Sequence, residues 1–403
     1  MQGIYLKKGA KKLACGYTTG TCAAAAAQAA AVMYFTGRAP ESVSIMTPKG
    51  IRLTLEVLEP FCSEDYASCA IKKESGDDPD ITNGVLVCAG LTFRHAEGES
   101  GTDAGNGGSD VLGLQSLENK ITVDIDGGKG VGRVTKAGLE QPVGAAAINS
   151  VPRRMITDEI TRVCKANDFV GHVKAVISIP EGEALAQKTF NPRLGIEGGI
   201  SVLGTSGIVE PMSERALIET IRAELSVKRE ENKRLGRDIV LAAPGNYGRN
   251  FISERYGIDI EDAVKCSNYI GELVDYANEL GFKRLLLAGH IGKLVKVSGG
   301  IMNTHSSNAD ARLELLAAHA LMAGADAQTG RRILACVTAE EALGILREGG
   351  LLPDTMDIMI KRIKYYLDRR SGTTQIEVIV FSNEFGELAK SDGADDFARE
   401  FCK

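Results

Sequence analysis

Leu285-Leu-Leu-Ala-Gly-His-Ile-Gly-Lys293 is a short apolar run that breaks into glycine, histidine and lysine. A run of that length, closed by glycine, reads as a buried strand leaving a sheet. The same pattern recurs on either side. Ile239–Ala242 runs into Pro244-Gly-Asn-Tyr-Gly248, Ala263–Cys266 into Ser267 and Asn268, and Ile200–Leu203 into Gly204-Thr-Ser-Gly207, while Ile376–Phe381 supplies a further run. Amphipathic stretches separate them. From Ser213, Leu217, Ile218, Ile221 and Leu225 fall at helical spacing, and further helices are predicted over Ser267–Leu280 and Ala309–Met322. Alternating strands and helices predict an α/β Rossmann-like domain over residues 193–403, doubly wound on a mostly parallel sheet.

Toward the N-terminus the rhythm changes. The alanine-rich stretch Thr21–Phe35 predicts a buried helix with Thr21 as N-cap and Gly37 beyond its end. Ser42–Met46 and Ile51–Val57 alternate about Pro48-Lys-Gly50, a hairpin signal. Strands follow around Ala67–Lys73, Gly84–Cys88, Lys120–Ile125 and His172–Ile179, with a helix over Thr157–Lys165. Strands with few helices predict an α+β N-terminal domain over residues 1–192. Gly127-Gly-Lys-Gly-Val-Gly132 follows a strand in this half and reads as a wide hairpin turn.

Composition narrows the function. With 47 basic and 53 acidic side chains the net charge is −6, and tryptophan is absent. That balance argues against a general nucleic-acid binder. The nine cysteines are odd in number and scattered, as in reduced cytoplasmic proteins, and neither they nor the five histidines pair at zinc spacing. No protein-held metal is expected. Lys7, Lys8, Lys11 and Lys12 precede the alanine run, but the polar Gly16–Thr21 stretch intervenes, so a signal peptide is not expected. No stretch approaches the roughly 18 apolar residues of a membrane span. A cytoplasmic chain without membrane contact is expected, and its oligomeric state is left open.

In parallel sheets, ligands sit in the crevice at the carboxyl ends of the strands. The loops expected there are Gly204-Thr205-Ser206, Gly245-Asn246-Tyr247-Gly248, Ser267-Asn268 and Gly289 with Gly292. Glycine admits close backbone approach, and helix N-termini favour polar groups. No loop carries a dinucleotide or P-loop fingerprint. His290 at the strand exit and His305 in the next polar loop are candidates for ligand contact and proton transfer. In the N-terminal half, Gly76-Asp-Asp78-Pro-Asp80-Ile-Thr-Asn-Gly84 is an acidic loop that could bind, act as acid or base, or simply turn the chain. Arg153 and Arg154 open a helix, against its dipole, and so call for a carboxylate partner.

Seven segments, in order along nearly the whole chain, carry a resemblance. They are GYTTGTCAAAA (16–26), GDDPDITNG (76–84), NSVPRRM (149–155), NPRLGIEGGISVLGTSGIVEPMS (191–213), GNYG (245–248), VKCSNYIGEL (264–273) and GHIGKLVKVSGGIMNTHS (289–306). The chain resembles the CbiD family of cobalt-precorrin-5B C(1)-methyltransferases of anaerobic cobalamin biosynthesis. The resemblance implies methyl transfer from S-adenosylmethionine to carbon 1 of a cobalt-bearing tetrapyrrole, giving cobalt-precorrin-6A. The cobalt belongs to the substrate. It further implies S-adenosylmethionine on the glycine-rich loops of the second domain, and a tetrapyrrole facing the Gly16–Thr21 loop and the acidic loop. Thr18, Thr19, Thr21, Lys136, Arg153, Arg154, Arg193, Lys293 and Lys296 are then the candidates to hold the substrate, with His290, His305 and Asp78 nearest the chemistry. A nicotinamide-dependent corrin-ring reductase and a non-enzymatic corrinoid-intermediate carrier are the alternatives.

Overall fold

Thr18 is extended and its hydroxyl accepts from the amide of Thr21 at 3.2 Å, so the first helix of the computed structural model begins at Thr19, two residues ahead of the expected start. The model describes residues 4–8, 11–95 and 121–402. Lys120, the first residue of one expected strand, lies outside them. The chain divides into two units, Met1–Ser213 and Glu214–Lys403.

Unit 1 runs β1 (Tyr5–Lys8), β2 (Lys11–Ala14), β3 (Gly16–Tyr17), α1 (Thr19–Thr36), β4 (Ser42–Met46), β5 (Arg52–Glu56), β6 (Leu58–Cys62), β7 (Tyr66–Lys72), β8 (Leu86–His95), β9 (Ile121–Gly127), β10 (Gly130–Val131), β11 (Arg133–Val134), α2 (Ser150–Ala166), β12 (Gly171–Ser178), α3 (Gly182–Ala186), β13 (Ile196–Glu197), β14 (Gly199–Ile200) and β15 (Ile208–Val209). Its main sheet has the order β6-β7-β8-β12-β9, antiparallel except where β12 and β9 run parallel. The β4–β5 hairpin forms as its alternation predicts, Val43 opposite Leu55 and Ile45 opposite Leu53. Every alanine from Ala23 to Ala31 is buried. Side chains this small let α1 approach α2 closely. At Gly20 even one added carbon would meet the Pro152 ring at 2.7 Å. Where α1 ends, larger rings fill the space: Tyr34 stacks on Phe93 at 3.8 Å, with Phe35 and Phe169 edge-on.

Two expectations change here. The Gly127–Gly132 segment is not a hairpin: β9 runs on through it to β10, which pairs in parallel with β14. Nor does the boundary fall at residue 192. The segment Ile196–Val209 belongs to unit 1, because β13 pairs with β11, β14 with β10 and β15 with β3. Ile200–Leu203 therefore supplies no strand to the second sheet.

Unit 2 runs α4 (Glu214–Leu235), β16 (Ile239–Ala243), α5 (Asn246–Tyr256), β17 (Ala263–Lys265), α6 (Ile270–Glu279), β18 (Arg284–His290), α7 (Ile291–Val297), α8 (Arg312–Met322), α9 (Ala327–Leu334), α10 (Ala339–Glu348), α11 (Leu352–Ser371), β19 (Gln375–Ser382), β20 (Gly386–Lys390) and α12 (Ala394–Arg399). The sheet order is β17-β16-β18-β19-β20, parallel apart from antiparallel β20. Its strands are apolar on both faces, as two covered faces require. Val240, Ala242, Leu285, Leu287, Val378 and Val380 pack with α6, α8 and α11. The alternate residues Ile239, Leu241, Leu286, Ala288 and Ile379 pack with α5 and α12. The molecule is thus mixed α/β with mixed sheets.

Candidate functional site

In unit 2 the chain leaves β16, forms β17 on one side of it, then returns to form β18 on the other. That reversal falls between β16 and β18, and the carboxyl ends of strands at such a switch point are the place where sheets of this kind take ligands. Gly245 caps α5 without any side-chain hydrogen bond, and open space surrounds the position a Cβ would occupy. Asn246 and Tyr247 beside it are exposed. Gly248 serves packing: a Cβ there would meet the Ala288 carbonyl at 2.8 Å, and at Gly289 it would meet Leu294 at 2.8 Å.

Lys293 ties the edge together. From the first turn of α7 its Nζ donates to the carbonyls of Pro244 and Ser267, both at 3.4 Å, bridging the loops that follow β16 and β17. Burial lowers its pKa, partly offset by the neighbouring Cys266. Ser267 holds a left-handed φ of +52°. Asn268 accepts from the amide of Thr304 through its carbonyl at 2.9 Å, and Met302 accepts from Ile270, which ties the Ser267–Asn268 loop to the segment Met302–Thr304. Lys296 is the hidden anchor of that joint. It is 2% exposed and donates to Thr304 O at 3.1 Å, with Asp310 at 3.8 Å. It sits inside the unit with its ammonium on a backbone carbonyl.

His290 and His305 differ. His290 caps α7, its Nδ1 accepting from the Gly292 amide at 3.1 Å, and its Nε2 meets Glu340 at 3.0 Å. An Nδ1 that accepts a backbone N–H assigns the neutral ring proton to Nε2, which then donates to the carboxylate. Both nitrogens are engaged, so direct proton transfer by His290 requires one bond to break. Glu340 is held in turn by Ser382 Oγ at 2.5 Å and the Asn383 amide at 3.3 Å. His305 is exposed, with Nδ1 bonded to Ser307 Oγ at 2.6 Å and its amide at 3.1 Å, leaving Nε2 without a partner among the described residues.

Glu340 and Ser382 escaped the sequence reading. Thr338 and Glu341 form the reciprocal cap of α10, Thr338 Oγ accepting from the Glu341 amide at 3.2 Å and Glu341 from Val337 at 2.8 Å. Glu340 between them looks like any acid in a first turn. Glu340→Ala is expected to cost about 1.5–3 kcal/mol, the range for a hydrogen bond to a charged group. Glu340→Gln should retain most of that stability. Equal urea midpoints for Glu340→Ala and the wild type would mean that the His290 contact carries no weight in solution.

The expected residues of unit 1 form a second locality. Thr18, Thr19 and Thr21 are buried and knotted to the loop Leu203–Gly207. Thr19 Oγ donates to Leu203 O at 3.2 Å and Thr21 Oγ to Gly207 O at 2.8 Å. The loop that carries Gly204, Thr205 and Ser206 thus clamps the start of α1 within unit 1. Gly204 has no room for a side chain, since a Cβ would fall 2.2 Å from Thr18 Oγ. Thr205 stays exposed, while Ser206 accepts from the Lys49 amide. In the acidic loop the carboxylates diverge. Asp77 takes the Ala14 amide at 2.6 Å, Asp78 the Met212 amide at 2.8 Å, and Asp80 bonds Lys73. The turn reading holds for this loop, and Asp78 is committed to a backbone amide.

Arg153 does not seek a carboxylate. It donates to the carbonyls of Ile148 at 2.8 Å, Ile125 at 2.9 Å and Ala146 at 3.4 Å, and burial lowers its pKa. Arg154 next to it is exposed. Lys136 and Arg193 flank the β11–β13 ladder, where Lys136 lies over Gly195. Among the described residues no helix is long and apolar enough to cross a membrane.

The chain is thus a two-unit mixed α/β protein with small polar loops along one sheet edge of unit 2, the edge at which parallel sheets generally take ligands. The family model described as CbiD matches residues 6–211, and that described as the CbiD C-terminal domain matches residues 303–392. The chain is 46% identical to a curated cobalt-precorrin-5B C(1)-methyltransferase of Ruminiclostridium cellulolyticum, over 99% of this chain and 98% of that one. It is 42% identical to the protein of the same name from Thermoanaerobacter sp., over 96% and 98%. A crystal structure of cobalamin biosynthesis protein (cbiD) from Archaeoglobus fulgidus aligns at 25% identity over 76% of this chain and 87% of that one, with a TM-score of 0.38. The chain belongs to the CbiD family.

Proposed function

We propose that this chain transfers the methyl group of S-adenosylmethionine to carbon 1 of cobalt-precorrin-5B, yielding cobalt-precorrin-6A. The observation that carries the reading is similarity along the full chain to curated methyltransferases of that name. In this reading unit 2 is Rossmann-like and takes the methyl donor, while unit 1 contacts the tetrapyrrole, whose cobalt is substrate. A cytoplasmic setting accords with nine cysteines that are all free.

The crevice of unit 2 suits the donor's polar end. The uncapped start of α5 offers backbone N–H groups to a carboxylate, Gly245 leaves the backbone approachable, and Asn246, Tyr247 and Asn268 offer polar partners. When bound, S-adenosylmethionine supplies an electrophilic methyl on a sulfonium sulfur. The nucleophile is a carbon of the electron-rich ring, so the chain need provide none. Its residues align and exclude water. Lys293 sets the spacing of two donor loops, His290 and Glu340 hold the turn into α7, and His305 presents the one unengaged imidazole nitrogen of the pair. For the tetrapyrrole carboxylates, Arg154, Lys136 and Arg193 are the basic candidates on unit 1.

Anaerobic incubation with methyl-labelled S-adenosylmethionine and cobalt-precorrin-5B should place label at carbon 1 of the pigment. Failure of S-adenosylmethionine to bind would end this reading. Lys293→Met should weaken donor binding by about tenfold, roughly 1.4 kcal/mol, because both loops lose their shared anchor. Calorimetric titration of the donor checks this, and an unchanged Kd would remove Lys293 from the site.

A further inference from the structure

We propose that the β1–β2 hairpin is a binding arm for a flat polycarboxylate ring, with Tyr5, Lys7 and Lys12 as its contact face. This rests on the function proposed above, whose substrate is such a ring. The register sets Lys7 directly opposite Lys12 and Lys8 opposite Lys11. Like charges facing each other across a ladder repel, and a two-stranded hairpin has little stability to spare. Among the described residues no carboxylate forms an ion pair with Lys7, Lys11 or Lys12, and all three are exposed. The hairpin therefore holds unneutralised cations together in a chain whose net charge is −6.

Its two faces have different work. Strand alternation puts Leu6, Lys8, Lys11 and Leu13 on one face, where Lys8 is already spent on the Met212 carbonyl at 2.7 Å. Tyr5, Lys7, Lys12 and Ala14 share the other. There the Lys12 ammonium lies 4.1 Å from the centre of the Tyr5 ring, and Tyr5 is 52% exposed. The base of the hairpin is anchored, Cys15 donating to Ile4 O at 2.8 Å and Ala14 to Asp77 at 2.6 Å. An anchored ladder with two adjacent ammonium groups and an exposed aromatic ring matches a planar ligand fringed with carboxylates: the ring supplies apolar area and the lysines meet the acids. The acidic overall balance and the lack of tryptophan disfavour nucleic acid as the occupant.

The test uses the full chain, with uroporphyrin as an octacarboxylate probe and its neutral octamethyl ester as control, read by fluorescence at several salt concentrations. Wild type should bind the acid in a salt-dependent manner and discriminate against the ester. K7A/K12A should bind the acid about tenfold more weakly with a shallower salt dependence. K7R/K12R should restore affinity, and K361A/K364A, whose lysines are paired with Asp357 and Asp368, should keep it. Unchanged affinity in a folded K7A/K12A chain would overturn the proposal. So would loss of a single-stranded oligonucleotide while the porphyrin is retained. Porphyrin loss in K7A/K12A beside a wild type that transfers no methyl would leave the arm standing and remove the reaction. Methyl transfer with an unchanged KM in K7A/K12A would do the reverse.

Discussion

Gly130→Ala is expected to destabilise unit 1 by about 2–6 kcal/mol, combining backbone strain of ~1–3 kcal/mol with overpacking of ~1–3 kcal/mol. Gly130 has a left-handed φ of +73°, and a Cβ there would stand 1.9 Å from the Ile179 carbonyl. Two other glycines meet at the same crossing. The Gly130 carbonyl lies 2.2 Å or less from where a Cβ of Gly182 or Gly199 would be. Backbone fills the space on every side, so no side chain can swing away to make room. Gly144→Ala is the matched control, left-handed at +90° but with nothing within 4 Å, and should show the conformational cost alone. Hydrogen exchange at the β9 and β12 amides measures both. Protection in Gly130→Ala no lower than in Gly144→Ala would show that the crossing has slack.

Asp80→Ala should cost about 3–5 kcal/mol, the usual penalty for stranding one member of a buried ion pair. Lys73 is 2% exposed, and its ammonium is held by Asp80 and by Ser75 Oγ at 2.6 Å. Thr82 adds two donors to the same carboxylate, its amide at 2.8 Å and its hydroxyl at 2.7 Å. Burial pushes the Asp80 pKa up, but the bonds from Lys73 and Thr82 outweigh it, and the net shift is downward. A carboxylate held low when folded contributes stability that is complete above its unfolded pKa of about 3.9 and lost as pH falls through the folded value. Asp80→Asn should therefore flatten the acid limb of unit 1 unfolding while costing less than Asp80→Ala at neutral pH. An acid limb identical to that of the wild type would assign the pH dependence to other groups.

Asp80 falls in a segment whose composition suggested ligand chemistry and Gly130 in one read as a hairpin turn, and both hold the backbone. Glycine-rich and acidic stretches are ambiguous for one reason: the same small or charged residues that admit a ligand also admit another strand or satisfy a buried cation. The knot of Thr18, Thr19 and Thr21 shows the same ambiguity. Hydroxyls that could meet a substrate instead close on the carbonyls of Leu203 and Gly207.

The periodic features were legible in the residues alone. The β4–β5 alternation, the alanine run that becomes α1 and the apolar runs of β16 to β19 each carry their signal within a few residues, because burial of a face depends on local spacing. The sequence also located the loops after β16, β17 and β18 at one sheet edge. Which polar groups remain available there depends on contacts made across the folded chain. Glu340 reaches His290 across 50 residues of chain and Met212 reaches Asp78 across 134. A hydrogen bond is short and directional, so its partner is chosen by where the folded chain crosses itself, and no local pattern records that choice.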